Sequence, residues 1–287
     1  MLIPPLLLLN LFVVIVMLSI GLRVSSGELF DILRKRTLFF RTLLANCVLI
    51  PAIGFLLIRI FPVTPEASVA ILLLAAIPGT PIALQFTRKA KTRLPFAAAM
   101  TFVLSLVSIA MTPLAVEVLP QTAQRNQRPM VLLVTSIVLY IALPLCAGLW
   151  AARRAPTIAS RLVLPLGVLA SIVFTCLTWE TRLVRRQALY TIRGRGTILA
   201  LLLLLLLSML VGWLIGGPDR ESRRVMATAT GMRNVVVVLY VARYCFPGTN
   251  VYMFPVAYLA LMVPTNVLFH LAFTGWHLLL RNRHYPH

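Results

Sequence analysis

The sequence predicts an all-α membrane protein of about nine transmembrane helices, and three observations carry that prediction. Sixty per cent of the 287 residues are hydrophobic, only 12% are charged, and the mean hydropathy is +0.94. A soluble chain of this length needs many more charges to coat its surface. From Thr197 to Gly216 the chain carries no charge, and Leu201 to Leu207 are consecutive leucines. About twenty helical residues span roughly 30 Å, the thickness of a hydrocarbon core. The net charge of +20 falls in short clusters between apolar runs, such as Arg34-Lys35-Arg36 and Arg88-Lys89-Ala90-Lys91-Thr92-Arg93. Loops resting on anionic lipid have that pattern, whereas a nucleic-acid binder gathers its charge in one patch. Membrane lipid is the expected surrounding, and no nucleic-acid partner is expected.

The apolar runs place spans at 3–22, 38–60, 67–87, 94–119, 130–151, 161–178, 197–216, 225–245 and 251–280. The first lacks a basic n-region and a small-residue cleavage site and is long enough to cross, so it reads as a span rather than a signal peptide. Short loops leave no room for a soluble domain, which makes 1–287 a single transmembrane unit. Cys47, Cys146 and Cys176 lie inside apolar runs and Cys245 near the end of another, with no CxxC spacing. They read as packing groups, not as a disulfide framework or metal site. No cofactor is implied.

Alternate loops, with span-end residues counted in the adjoining loop, hold 17 and 9 of the 27 basic residues, and Arg233 lies inside the eighth span. The positive-inside rule then puts the N-terminus outside and the C-terminus in the cytoplasm of a cell (inner or plasma) membrane. One loop resists this assignment. Arg182, Arg185, Arg186, Arg193 and Arg195 fall on the outer side, so that segment is interfacial or one span is miscounted.

Two spans are broken. The third is interrupted by Ile77-Pro78-Gly79-Thr80-Pro81, whose prolines remove backbone donors and whose glycine relaxes φ. The eighth is interrupted by Thr228-Ala229-Thr230-Gly231-Met232-Arg233-Asn234. An arginine at mid-helix costs about 2.5–3.5 kcal/mol on insertion scales, so it needs a partner, a wet cavity or a ligand. Unwound backbone survives at membrane depth only inside protein or beside a polar cavity. The third and eighth spans are an odd number apart, each followed by a short loop and one long span. That is the order of an inverted repeat, and matched broken helices point to a transporter's midplane site. Ordinary proline kinks with a snorkelling arginine are the bland alternative.

At these residues the chain resembles the bile acid:sodium symporter family. The matching strings are Pro78-Gly79-Thr80 and Gly231-Met232-Arg233-Asn234, together with Met17-Leu18-Ser19-Ile20-Gly21-Leu22 and Met111-Thr112-Pro113-Leu114. Nine spans with an outside N-terminus also resemble family members that lack the first helix. The resemblance implies a panel bundle (3–22, 130–151, 161–178) and a core bundle (38–119, 197–280). Broken helices would cross in the core, substrate would bind where core faces panel, and one bundle would move against the other.

The departures from the family pattern bear on mechanism. The resemblance assigns sodium ligation to positions that here hold Ala83, Leu84, Ala229 and Arg233. Sodium needs several oxygens, preferably including a carboxylate, and a fixed cation about 4 Å away repels it by roughly 4 kcal/mol at an effective dielectric of 20. Arg233 is therefore expected to stand in for sodium. It would either brace the crossing by donating to unwound carbonyls or bind an anionic substrate through its fork. The remaining polar candidates are Asn46, which matches a family amide position, Thr101 and Ser105 one turn apart, and His270 with His277 seven residues on. Membrane hydroxyls often bond only their own backbone.

The expected function is secondary transport of a small organic anion by alternating access, without sodium. A sodium- or proton-coupled symporter of the same family is the alternative, and a non-transporting scaffold or sensor is the competitor from another class. No nucleophile–base constellation or HExxH supports an enzyme. An arsenite carrier of this fold needs a cysteine where Gly79 stands.

Overall fold

The computed structural model describes residues 5–24, 36–79, 94–119, 130–180 and 196–283, with isolated positions between 25 and 35. Everything regular among them is helical. In hydrocarbon a chain must satisfy its backbone internally, and a helix does so within one segment. The elements are α1 (Pro5–Leu22), α2 (Arg36–Leu44 through Ile50–Ile60), α3 (Pro65–Ala76), α4 (Leu94–Val118) and α5 (Met130–Ile137 through Leu143–Arg154). They continue with α6 (Pro156–Glu180), α7 (Thr197–Ile215), α8 (Arg220–Gly231), α9 (Val235–Cys245) and α10 (Met253–Arg283). Among the described residues, seven helices are long and apolar enough to cross a membrane, α8–α9 counting as one, and α1 and α3 are shorter apolar helices.

Several ends fall outside the boundaries read from charge, because caps rather than charges set them. α8 begins at Arg220, not near 225, because the Asp219 side chain accepts the Ser222 N–H at 2.8 Å. α3 begins at Pro65 because Thr64 caps Ala67 at 3.2 Å and proline suits the first helical position. α6 begins at Pro156, not 161, since Arg161 lies on an exposed face and interrupts nothing. The expected continuation of the third span to residue 87 lies outside the described residues, as do Thr80, Pro81, Ala83 and Leu84.

Two helices contain a wider, π-helical turn, at Ala45–Leu49 in α2 and Val138–Ala142 in α5. In each, a proline sits two residues beyond the turn, Pro51 and Pro144. A helical proline clashes with the carbonyl four residues back and offers it no donor. Here the amides of Ile50 and Leu143 reach back five residues instead, to Ala45 and Val138, which widens the turn around the ring.

Packing separates enclosed helices from lipid-facing ones. The α8–α9 pair is the most enclosed, with 94% of its span buried, against 11% for Pro156–Val173 of α6. α7 packs along α8, and the second half of α2 packs on α3 and α7. α1 lies against the second half of α5 and against α6, which has its main contacts there. That contact is backbone on backbone: a Cβ at Gly21 would strike the Leu145 carbonyl and lie 2.8 Å from the Leu149 nitrogen and 2.9 Å from Gly148 Cα. Without a hydrophobic force between helices in lipid, such close van der Waals contact drives association. Gly21→Leu is expected to cost about 1–3 kcal/mol by forcing α1 off α5. A thermal melt in detergent checks this, with Gly27→Leu, where nothing lies within 4 Å, as the silent control. Equal melting of the two variants would sink the claim.

Candidate functional site

α3 stops at Ala76 because the next residues cannot continue it. Ile77 is extended (φ −105, ψ 94), Pro78 has no N–H, and Gly79 has a φ of 78. A Cβ at Gly79 would lie 2.8 Å from Leu104 Cβ and 2.9 Å from Leu104 carbonyl carbon, so glycine is needed for both conformation and close approach to α4. The second break separates α8 from α9. Met232 is extended (φ −83, ψ 98), and Asn234 restarts the helix by accepting the Val237 N–H at 3.3 Å. The breaks touch: the Asn234 N–H donates to the Ile77 carbonyl at 3.3 Å.

Arg233 sits at this junction, completely buried. Its Nε donates to the Leu74 carbonyl at 2.7 Å, its Nη2 to the Ala75 carbonyl, and its Nη1 to Asn46 Oδ1 at 2.8 Å and to the Thr230 carbonyl at 3.4 Å. The reason is local. In an unbroken helix the Leu74 carbonyl would bond the amide of residue 78, which is proline, and the Ala75 carbonyl would bond residue 79, which turns away. The guanidinium supplies both missing donors, and a cation at a helix C-terminus also suits the dipole. Asn46 is held in turn by donating from Nδ2 to the Thr42 carbonyl at 3.0 Å, within the π-helical turn of α2.

The end of α8 is closed by a different donor. The Val235 N–H goes to the Arg233 carbonyl at 2.8 Å, and the Gly231 carbonyl accepts from Tyr258 Oη of α10 at 2.7 Å. Tyr258 is fully buried, and sequence reasoning missed it because an aromatic in an apolar run carries no signal of its partner. Arg224 was also missed, having been counted with a loop. Its Nε donates to His270 Nδ1 at 2.7 Å, and His270 Nε2 meets Thr228 Oγ1 at 3.0 Å. Because arginine can only donate, Nδ1 must accept, so Nε2 carries the proton and donates to Thr228.

The other candidates are buried around the crossing. Thr230, Met232 and Ala229 are enclosed, while Thr101 and Ser105 donate to the carbonyls of Ala97 and Thr101, both at 2.8 Å. The side chain of His277 lies outside the described residues. Arg233→Ala would leave two α3 carbonyls and Asn46 Oδ1 without their donor, at about 1–3 kcal/mol per group. Removal of a buried charge offsets part of that, giving a net loss of about 2–4 kcal/mol. Arg233→Lys is expected to fall between, since one ammonium cannot reproduce the fork. Thermal unfolding in detergent reads both; an unchanged midpoint for Arg233→Ala would mean the guanidinium does not hold the helix ends.

Compared with known families, the chain matches the one described as the Sodium Bile acid symporter family over residues 10–189. No curated protein matches it. The matched stretch holds the first break and stops before the second, which the geometry joins to it through Asn234 and Arg233. With well over half of its 287 residues matched and two touching helix breaks enclosed by apolar helices, the chain belongs to the sodium bile acid symporter family and is a membrane transporter.

Proposed function

We propose that the protein carries a small amphipathic organic anion across the membrane by alternating access, with Arg233 in place of a coupling sodium ion. The observation that carries this reading is the set of bonds from the buried guanidinium to Leu74, Ala75 and Asn46. Those oxygens are the ones a cation at the crossing would need, and each already accepts from a permanent cation. A sodium ion about 4 Å away would add roughly 4 kcal/mol of repulsion at an effective dielectric of 20. The residues around the crossing therefore do not fit sodium. The arginine's role is to brace the crossing, since four of its donor contacts end on this chain's own oxygens.

In this reading α1, α5 and α6 form the panel, and α2–α4 with α7–α10 the core, built as an inverted repeat about the two breaks. The grouping of α1 with α5 and α6 supports that division, and the ring contact between Tyr140 of α5 and Tyr240 of α9, 6.2 Å between centroids, lies on the seam. The core moves as a unit because Arg233, Asn234 and Tyr258 tie α2, α3, α8, α9 and α10 together. The membrane is the cell membrane, with the N-terminus outside. The family's name supplies the substrate chemistry, an apolar body with one anionic end.

Uptake of a labelled bile salt or steroid sulfate into proteoliposomes tests the proposal. Replacing sodium by potassium is expected to change the initial rate by less than about twofold, against the ~5–150-fold of a coupled site. An imposed pH gradient is expected to leave it unchanged, because both ring nitrogens of His270 are engaged. A steep sodium requirement would return the protein to the symporters. Absence of flux for every anion tried would favour a scaffold or sensor.

A further inference from the structure

Both π-helical turns present a side chain to a partner on another helix. The turn in α2 carries Asn46, which accepts from Arg233. The turn in α5, Val138–Ala142, carries Tyr140, whose ring meets that of Tyr240 on α9 at 6.2 Å between centroids and 50° between planes. One turn earlier on α5, Ser136 shares a side-chain hydrogen bond with the Tyr240 hydroxyl. Residues four apart lie on one helix face, so α5 grips a single tyrosine of α9 at two points. Tyr240 is 2% exposed, and Tyr244, one turn further along α9, stacks on it at 5.9 Å and 15°.

This contact has the properties of a joint that opens. Its centre is polar, since a phenylalanine would fill the same space and the tyrosine hydroxyl is used across the helix pair. It is small, so one hydrogen bond and one ring pair part without unpacking either helix. It is also set on a turn that Pro144 already keeps from regular winding, and wider turns of this kind recur at functional sites. Tyr240 lies six residues beyond Asn234, which at 1.5 Å per residue puts it about 9 Å along α9 from the crossing. On this half of the molecule α1 also packs on α9, whereas α8, on the other half, packs on α7 and α4. In the proposed division the panel therefore grips the core on the α9 half, which the proposed orientation places outside.

We infer that Tyr240 of α9, with Ser136 and Tyr140 of α5, is a latch that shuts the outer half of the panel–core seam and releases each time the transport path opens outward. The inference rests on the transport reading and adds to it the contact that one bundle breaks when it moves against the other. Tyr244, stacked on Tyr240 from the same helix, keeps the latch ring with the core as α5 parts from it.

The first arm of the test needs no flux. With Cys47, Cys146 and Cys176 replaced by alanine, the remaining native thiol is Cys245, buried on α9 and close enough to Tyr240 to act on it electrostatically. Its labelling by a water-soluble maleimide, in the full-length protein in proteoliposomes, reads opening of the outer half. Tyr240→Phe and Ser136→Ala each remove the hydrogen bond, and each is expected to raise the labelling rate about three- to tenfold, with the melting midpoint lowered by less than about 4 °C. Because both break one bond, the double variant is expected to label no faster than either alone. Tyr140→Leu, which loses the ring pair, is also expected to label faster, and it keeps the test open should Tyr240→Phe fail to fold. Unchanged labelling in these variants overturns the latch, as do effects that multiply in the double variant, or a lowered midpoint without faster labelling. The second arm reads uptake of a labelled bile salt. In a chain with all four native cysteines replaced by alanine, Ser136→Cys and Tyr240→Cys joined by a short bis-methanethiosulfonate are expected to abolish uptake, and excess dithiothreitol to restore it. Undiminished uptake by the joined protein overturns the latch. Labelling as expected with no uptake of any anion by the unmodified protein would sink the transport reading alone.

Discussion

The guanidinium of Arg233 on the carbonyls of Leu74 and Ala75 is the contact on which the rest of the architecture depends. A helix that ends inside a membrane leaves backbone acceptors with no water to satisfy them. Pro78 makes the deficit specific, since it deletes the amide that Leu74 would have used. An arginine from the other broken helix makes up the deficit with a planar fork, and the Asn234 amide does the same for Ile77. Every break in winding is matched by a donor from a different segment, so the breaks stabilise one another only when the helices cross.

This explains why so costly a residue is tolerated. A charge in hydrocarbon is expensive when it is alone and acceptable when its hydrogen bonds are complete and its position is at a negative helix end. In relatives that the family name describes as sodium symporters, a mobile cation is part of the machinery. In the function proposed here, the covalently attached guanidinium of Arg233 takes the place of that cation. A crossing held by a permanent charge does not depend on a bound ion for its assembly.

Much of the fold was legible before any coordinates. The helical spans followed from apolar runs of membrane length, and both breaks from Pro78-Gly79 and from an arginine beside a glycine. Helix starts were less legible, because Asp219 and Thr64 act through short-range caps that a hydropathy pattern does not register. The π-helical turns had a signal, a proline two residues beyond each, that composition alone does not convert into a wider turn. Tyr258 and Arg224 had none, since each acts on a partner from a different helix, 27 and 46 residues away in the chain.

What the sequence determined by itself was the solvent: a chain this apolar and this poor in acids is stable only in lipid, as helices, with its irregular backbone inside. It also determined which residues had to be unusual, because proline and glycine act through their own covalent geometry. Which oxygen each arginine reaches was decided only by the tertiary structure. Arg233 and Arg23 are the same side chain, and nothing local says which partners each one reaches. The difference lies in what surrounds them: Arg233 is fully buried against two α3 carbonyls that lack their helical donors, and Arg23 lies over a glycine of α6.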